Sequence, residues 1–269
     1  MLISIEHTTR YRYEGEASYS VQSLRLTPSD FDGQRVHAWR IESRPASELT
    51  PLVDGFGNIM HLMTCTRPHS EIEIVAAGVV EVEDRHGVVG GLAVDIPLRI
   101  YQKSTSLTQA NAAILELGAQ STEKERIPWL HDLMHAIHAR VRYLTGVTSA
   151  ETTAAEALAA GQGVCQDHAH IFISAARAAG IPARYVTGYL LTGDGSAEPA
   201  HHAWAEAWVE GLGWLGFDVA NVICPTDHYV RLAAALDARY AAPIRGSRRG
   251  GAGESLEVAV KVAQDSAQQ

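Results

Sequence analysis

Cysteine is scarce in this sequence of 269 residues, which contains only Cys65, Cys165 and Cys224. Such a small and odd number excludes a disulfide framework, because a framework needs several cysteine pairs. The first residues, Met1 to His7, also lack the basic segment and the long apolar segment of a secretory signal peptide. We therefore expect a cytoplasmic protein, in which a single cysteine matters through its reactivity or not at all.

Positive charge is scarce as well, since 22 lysines and arginines stand against 31 aspartates and glutamates and the net charge is −9. Nucleic acids and anionic membranes are bound through clustered positive charge, so we expect neither as a partner. The sequence has no uninterrupted apolar run of about 20 residues, the length that crosses a bilayer. With 46% hydrophobic and 20% charged residues, the chain has a globular composition and the length of one large domain or two modest ones.

The first hundred residues have the pattern of strands. Apolar and β-branched residues alternate in part with polar residues in 2–9, 34–42 and 71–83. Turn residues such as those of Asp54–Asn58 separate these segments. Short strands at this spacing predict a small antiparallel β-sandwich over residues 1–100, and we find no site chemistry in it.

Beyond about residue 105 the pattern becomes that of helices followed by strands. Helices are predicted over 111–118, 128–141, 153–160 and 165–180, and strands over 184–190, 203–209 and 214–217. A glycine- and arginine-rich stretch, 245–253, is expected to be flexible, and a last alternating strand covers about 254–263. Residues 101–269 are therefore predicted to form a second domain.

Cys165 is the one cysteine whose sequence neighbours favour a reactive thiol. Gly161 and Gly163 precede it and an apolar helix follows it, so the thiol is expected in the first helical turn. Unpaired N–H groups and the helix dipole favour an anion at that position. A helix N-terminus or a neighbouring cationic histidine lowers the pKa of a cysteine thiol from about 8.5 to roughly 3.5–7.5. We therefore predict that Cys165 is a nucleophile, whereas Cys65 and Cys224 are expected to be small packing residues.

The segment 201–218 is predicted to form an aromatic-rich hairpin, which could supply a base for the thiol and a carboxylate to orient that base. If the loop is the three residues Glu210–Leu212, Trp204 pairs with Asp218, and His202 and Asp218 share one face as diagonal neighbours. A loop of two or four residues would place them on opposite faces. In the three-residue register, His202 would take the proton of a thiol and Asp218 would orient the imidazole.

These motifs resemble those of the transglutaminase-like superfamily, and most closely its bacterial two-domain members. The resemblance lies in Gly163–His170, Ala179–Tyr189, His202–Trp204 and Gly213–Asp218, with Leu24–Pro28 and Asp54–Asn58 in the first block. It implies an α+β fold with an N-terminal antiparallel β-sandwich and a papain-like core, in which the nucleophile begins a helix packed on an antiparallel sheet. By position, Cys165, His202 and Asp218 match the Cys, His and Asp of the family. His202 is matched rather than His201 because it directly precedes Ala-Trp.

Metal sites are weaker interpretations of the remaining histidines. One predicted helix carries a stripe of three histidines, His131, His135 and His138. It lacks the glutamate of a zinc helix, so a solvated helix face is favoured. Cys165, His168 and His170 form a poor ligand set, because positions i and i+3 share a helix face and position i+5 does not. We therefore expect no metal and no cofactor.

The residues together predict a cysteine-dependent acyl-transfer enzyme that acts on amide or peptide bonds. Cys165 would attack the carbonyl, His202 would shuttle the proton, and water or an amine would release an acyl-thioester. The backbone N–H of Cys165 is a natural donor to the oxyanion, and Gln162 or Tyr143 is a candidate second donor.

We favour hydrolysis of a peptide or protein substrate, as by a cysteine peptidase or amidase. Three alternatives stay open. The first is a protein-glutamine transamidase, the second is a catalytically silent binding or scaffold protein of the same fold, and the third is a metal-dependent hydrolase built on the histidines. The sequence predicts neither the substrate nor the oligomeric state.

Overall fold

Two curled antiparallel sheets, one of seven strands and one of five, organise the protein. The computed structural model describes residues 1–121, 123–192 and 201–265. The strands are β1 (Leu2–Leu24), β2 (Gln34–Arg44), β3 (Glu48–Val53), β4 (Ile59–Cys65), β5 (His69–Val82), β6 (Val88–Val89), β7 (Arg142–Tyr143), β8 (Gln162–Gly163), β9 (Ala183–Leu190), β10 (His201–Val209), β11 (Gly213–Phe217), β12 (Tyr229–Ala235), β13 (Ile244–Gly250) and β14 (Glu254–Gln264). The helices are a 3₁₀ turn (Leu98–Gln102), α1 (Ala112–Gly118), α2 (Arg126–Arg140), α3 (Ala154–Ala160) and α4 (Cys165–Ala178).

The seven-stranded sheet is built along the 23-residue strand β1. Its first half pairs with β5 and β14, and its second half pairs with β4 and β13. The change of partner strands falls near Gly15, whose φ of +85° suits glycine. The register between β1 and β5 shifts between Arg12 and Ala17. The predicted antiparallel strands of this block are confirmed, whereas their arrangement as a sandwich stays a prediction.

The stretch 245–253 was expected to be flexible, and this expectation is wrong for most of it. Residues 244–250 form β13, which pairs with β1 from Ala17 opposite Gly250 to Leu24 opposite Ile244. The main chain supplies these hydrogen bonds, so the glycines and the arginine side chains do not prevent them. At Gly246 a Cβ atom would lie 2.5 Å from Gln22 Cγ, so glycine permits the close approach. The last strand is found where it was predicted, and the domain boundary near residue 100 stays a prediction.

The five-stranded sheet has the order β12-β9-β10-β11-β6. The hairpin between β10 and β11 has Val209 opposite Gly213, which leaves a loop of three residues with Gly211 at a φ of +80°. The predicted register is therefore confirmed. We did not predict β12, because all seven of its residues are buried and show no alternation.

The four predicted helices are found, and the cores place them on one face of the five-stranded sheet. Thr153 and Glu156 form a reciprocal capping box that begins α3, and α4 packs against β10. The longest helix, α2, has 15 residues, and no helix within the described ranges is long and apolar enough to cross a membrane.

The other face of the five-stranded sheet packs against the seven-stranded sheet. Tyr189, Val230 and Leu232, from β9 and β12, share one apolar core with residues of β1 such as Ile3 and Ile5. The Gln34 side chain joins the layers by accepting from the Arg231 N–H at 2.7 Å and donating to the Arg231 carbonyl at 2.9 Å. The seven-stranded sheet therefore supports β9 and β12 of the five-stranded sheet.

A buried ionic group lies within this interface. Glu206 is fully buried and accepts from Arg184 Nε at 2.5 Å and from Arg231 Nε at 2.8 Å. The Arg184 guanidinium lies 3.9 Å from the centre of the Trp214 ring. Two buried arginine side chains thus share one buried carboxylate as their counter-charge.

We expect Glu206→Gln to lower the free energy of unfolding by roughly 3–5 kcal/mol, because it leaves two buried arginines without a counter-charge. Urea unfolding followed by circular dichroism measures the change. The control is Glu210→Gln at an exposed loop position, for which we expect a change within about 0.5 kcal/mol. Equal stability of the two variants would contradict the role assigned to Glu206.

Candidate active site

Cys165 is the first residue of α4 and is half-buried. The helix begins there because Val164 is extended, with a φ of −108°, and its N–H donates to the Asp167 carboxylate at 2.8 Å. Thr148 Oγ1 also donates to Asp167, at 2.7 Å. A Cβ atom on Gly163 would lie 2.7 Å from Asp167 Cβ, so the glycine before the site allows the carboxylate to fold back.

His168 and His170 anchor α4 rather than forming a ligand set with Cys165. The ring nitrogens of His168 lie 2.9 Å from the Val164 carbonyl and 2.9 Å from the Val141 carbonyl. His170 Nε2 accepts from the Ala238 N–H at 3.1 Å, and burial lowers the pKa of His170 to about 4. Within the described part of the chain, no group of three or more histidine, cysteine, aspartate or glutamate residues could hold a metal ion.

The hairpin brings His202 and Asp218 together as its register predicts. His202 Nε2 donates to Asp218 Oδ2 at 2.7 Å. Because Nε2 is engaged by the carboxylate, the other ring nitrogen, Nδ1, is left for a second partner. The ring lies over Trp204, with a centroid distance of 6.5 Å and an angle of 25° between the planes. Tyr229 packs its ring edge-on at 6.1 Å.

Asp218 accepts from four further donors. Tyr229 Oη and Asn221 Nδ2 each lie 2.7 Å from Oδ2. The backbone N–H groups of Ala220 and Asn221 donate to Oδ1 at 3.1 and 3.2 Å. Burial raises the pKa of Asp218, but the hydrogen bonds from His202, Tyr229 and Asn221 outweigh it and hold that pKa below its ordinary value. The carboxylate is therefore kept ionised in the interior.

Asn221 and Tyr229 were not predicted from the sequence as partners of Asp218. Asn221 follows Asp218 by three residues, in a turn closed by a bridge between Asp218 and Ile223. An aspartate and an asparagine at that spacing are turn residues, and this signal could have identified Asn221. Tyr229 lies on the buried strand β12, whose sequence carries no local signal for a contact with residue 218.

Cys165 and Asp218 together control the charge of His202. Burial lowers the pKa of His202, but hydrogen bonds with Asp218 and with Cys165 outweigh it and raise that pKa to about 10. The ring is therefore an imidazolium at neutral pH. The neighbouring His201 differs, because burial and the charge of His202 lower its pKa to about 4 while its Nε2 bonds Thr187 Oγ1 at 2.8 Å.

The candidate oxyanion donors lie on two short strands beside the start of α4. β7 and β8 pair in parallel, with Arg142 opposite Gln162 and Tyr143 opposite Gly163. The Tyr143 ring lies 6.2 Å from the ring of His168. In the first turn of α4, the N–H of Cys165 has no partner within the helix. Gln162 and Tyr143 both stay candidates for a second donor.

A cavity of about 490 Å³ lies near the start of α4, and Cys165, His202 and Asp218 are not among its lining residues. Gln166 and His201, the chain neighbours of Cys165 and His202, line it together with Thr187 and Tyr185 of β9. Its wall also carries Arg239, which forms an ion pair with Glu151, and Arg245. The cavity is large enough for part of a peptide.

Neither of the two other cysteines begins a helix beside a histidine–carboxylate pair, and the histidine near Cys65 bonds Ser20 and the Arg67 carbonyl instead. Cys65 is buried in the seven-stranded sheet, with its sulfur 3.5 Å from His69 Nδ1. Cys224 is half-buried, and burial raises the pKa of its thiol. A raised pKa reduces the thiolate fraction, so the surroundings of Cys224 disfavour the nucleophilic form.

Two family models match this chain. Residues 3–81 match the model of the bacterial transglutaminase-like N-terminal region, and residues 116–219 match the model of the transglutaminase-like superfamily. The chain belongs to the transglutaminase-like superfamily.

Individual relatives extend over nearly the whole chain. An uncharacterized protein of Mycobacterium leprae (strain TN) is 29% identical over 96% of this chain and 97% of its own length. An uncharacterized protein of Mycobacterium tuberculosis (strain H37Rv) is 29% identical over 90% of this chain and 86% of its own. The crystal structure of a candidate cysteine protease from Cytophaga hutchinsonii aligns with a TM-score of 0.80 and 21% identity, over 100% of this chain and 92% of that chain. That structure shares the fold.

We expect Asp218→Asn to lower the pKa of His202 from about 10 towards its ordinary value of 6.5, because the variant removes the carboxylate charge. Since the pKa is raised on folding, the stabilisation from the charged ring is fully present below pH 6.5 and is lost as the pH rises through about 10. NMR titration of labelled histidine rings measures the pKa of His202, and urea unfolding at several pH values measures the loss of stabilisation.

The matched control for this titration is Asp227→Asn, which removes a carboxylate beside the half-exposed ring of His228. It should leave the titration of His202 unchanged. If His202 titrates at the same pH in the parent protein and in Asp218→Asn, the carboxylate does not set the charge of the ring.

Proposed function

We propose that this protein is a cysteine-dependent acyl-transfer enzyme that hydrolyses amide or peptide bonds. Cys165 is the nucleophile, His202 is its acid–base partner and Asp218 orients the imidazole. The observation that carries the proposal is the position of His202, which is hydrogen-bonded to Asp218 at 2.7 Å and lies close enough to Cys165 for the cysteine to raise its pKa. An imidazolium beside a cysteine stabilises the thiolate, which is the nucleophilic form.

Acylation begins when Cys165 Sγ attacks the substrate carbonyl carbon, so that a C–S bond forms and the carbonyl oxygen becomes an oxyanion. The backbone N–H of Cys165 stabilises that oxyanion, with Gln162 or Tyr143 as the second donor, and one such donor contributes about 10²–10³ in rate. His202 then gives its proton to the substrate nitrogen, the C–N bond breaks, and the amine leaves. The product of this step is an acyl-thioester on Cys165 and a neutral His202.

Deacylation reverses the roles of the groups. Water attacks the thioester carbon and gives a proton to His202, which restores the imidazolium. The C–S bond breaks as the oxyanion collapses, and the Cys165 thiolate leaves. The acyl group is released as a carboxylic acid. Asp218 stays ionised throughout, and its bond to Nε2 keeps the ring aligned through both proton transfers.

Hydrolysis is supported by the surroundings of the site. The cavity lined by Gln166 and His201, the chain neighbours of Cys165 and His202, has room for water molecules, and water close to a thioester competes with an amine. The fold similarity to a candidate cysteine protease agrees with this choice. We extend the proposal to peptide or protein substrates and to a cytoplasmic location, where the Cys165 thiol stays reduced.

Two other functions compete with hydrolysis. In a transamidase the amine of a second substrate would replace water at the same thioester. A silent scaffold would have a buried cysteine or a histidine too distant for proton transfer, whereas Cys165 is half-buried and lies close enough to His202 to raise the pKa of the ring. This contact favours an enzyme.

We expect Cys165→Ala to lower amide turnover at least about 10³-fold, because no other group can form the thioester. Peptides and glutamine-containing proteins are screened with and without a primary amine, while carboxylate, ammonia and cross-linked product are followed. Hydrolysis predicts a carboxylate product in the presence of the amine, whereas transamidation predicts incorporation of the amine.

The controls are Cys65→Ala and Cys224→Ala, which should retain turnover. Mass spectrometry after a short exposure to iodoacetamide should locate the label on Cys165 in the parent protein. Turnover that persists undiminished in Cys165→Ala would overturn the proposed mechanism.

A further inference from the structure

β14 is an edge strand of the seven-stranded sheet. It pairs with β1 over its whole length and, among the residues that the structure covers, with no other strand. The Gly253 carbonyl accepts from Glu14 N–H, and the Asp265 N–H donates to the Leu2 carbonyl, so odd-numbered positions direct their main-chain groups towards β1. The even-numbered positions of β14 therefore direct their N–H and C=O groups away from the sheet, at an open edge of eleven residues.

The open edge is apolar on one face. Val260 and Val262 pack against the core beneath the sheet, whereas Leu256 and Val258 are 56% and 51% exposed. Long exposed edge strands with apolar side chains are templates for pairing with another strand. The opposite face of β14 carries Glu257 and Lys261, which have opposite charges.

We propose that β14 pairs antiparallel with β14 of a second copy of this chain, about a two-fold axis at Ala259. Antiparallel pairing must join outward-facing positions to outward-facing positions, so even positions pair with even positions. With the axis at Ala259, all eleven residues of the strand find a partner. Val258 then lies opposite Val260 of the second copy, and Leu256 lies opposite its Val262.

Charge selects this register over its neighbours. With the axis at Ala259, Glu257 lies opposite Lys261 of the second copy, and the symmetry makes this pair twice. An axis shifted to Val258 places Glu257 opposite Ala259, and an axis at Val260 places Lys261 opposite Ala259. Both shifted registers lose both ion pairs and leave strand ends unpaired.

The side chains that form these pairs are already held on the correct face. Glu257 Oε2 lies 3.5 Å from Arg10 Nη1 and 3.3 Å from Arg12 Nη1. Lys261 Nζ lies 3.3 Å from Glu6 Oε1. A strand whose charges and apolar residues both complement themselves under a two-fold rotation fits a second copy better than an unrelated peptide.

A proline variant tests the pairing without disturbing the monomer. Val258 directs its N–H to the open edge, so Val258→Pro removes no bond to β1 and is of the kind that edge strands tolerate. Sedimentation velocity should show a concentration-dependent dimer for the parent protein and a monomer for Val258→Pro. Unchanged circular dichroism confirms that the variant is folded. A parent protein that is monomeric at all concentrations, or a Val258→Pro dimer, overturns the proposal.

Charge reversal tests the register. Lys261→Glu and Glu257→Lys should each raise the dissociation constant of the dimer about tenfold, because each turns two attractive pairs into repulsive ones. The double variant E257K/K261E rebuilds the pairs between the copies with their charges exchanged and should recover part of the affinity, because it also places a lysine beside Arg10 and Arg12 of its own chain. A double variant whose dissociation constant is raised by the product of the two single effects would contradict this register.

A cysteine at the axis tests the geometry directly. Ala259 opposite itself is a pair without main-chain hydrogen bonds, with Cα atoms about 4.5 Å apart, which suits a disulfide. Ala259→Cys should form a covalent dimer on mild oxidation, with a 259–259 linked peptide in mass spectrometry. The matched control Ala263→Cys, placed opposite Ser255, should not. Equal cross-linking of the two variants, or none of Ala259→Cys, excludes the proposed axis.

Discussion

The hydrogen bond between His202 and Asp218 is the interaction on which the candidate site depends. It requires a hairpin loop of three residues, since an even loop would turn the two side chains to opposite faces. It also requires a carboxylate that stays ionised while buried, which the donors Tyr229 and Asn221 provide. With the carboxylate ionised, the raised pKa of His202 follows, and the ring can meet Cys165 as a cation.

The seven-stranded sheet contributes to this arrangement from a distance. It covers the face of the five-stranded sheet that carries Glu206, so the ionic group with Arg184 and Arg231 lies in the interior. Gln34 bonds both main-chain groups of Arg231 on β12, the strand that also supplies Tyr229. The first block of the chain is therefore part of the support of the site, although it holds none of the proposed catalytic groups.

Much of the site could be predicted because its signals are local. The glycines before Cys165, the hairpin loop and the resemblance of the motifs all lie within short segments of sequence. The strand β12 could not be found in this way, because a fully buried strand has no alternation. The strand β13 was missed because its glycines and arginines resemble a loop, while its pairing with β1 uses the main chain.

By itself, the sequence determined where helix and hairpin begin and which groups are candidates for reaction, since capping, loop length and side-chain period act between close neighbours. Only the tertiary structure decided which distant groups meet them. Tyr229 reaches Asp218 from another strand, and β13 and β14 return to β1 from the far end of the chain. Such contacts arise from packing and from main-chain hydrogen bonds over long separations, and no local pattern encodes them.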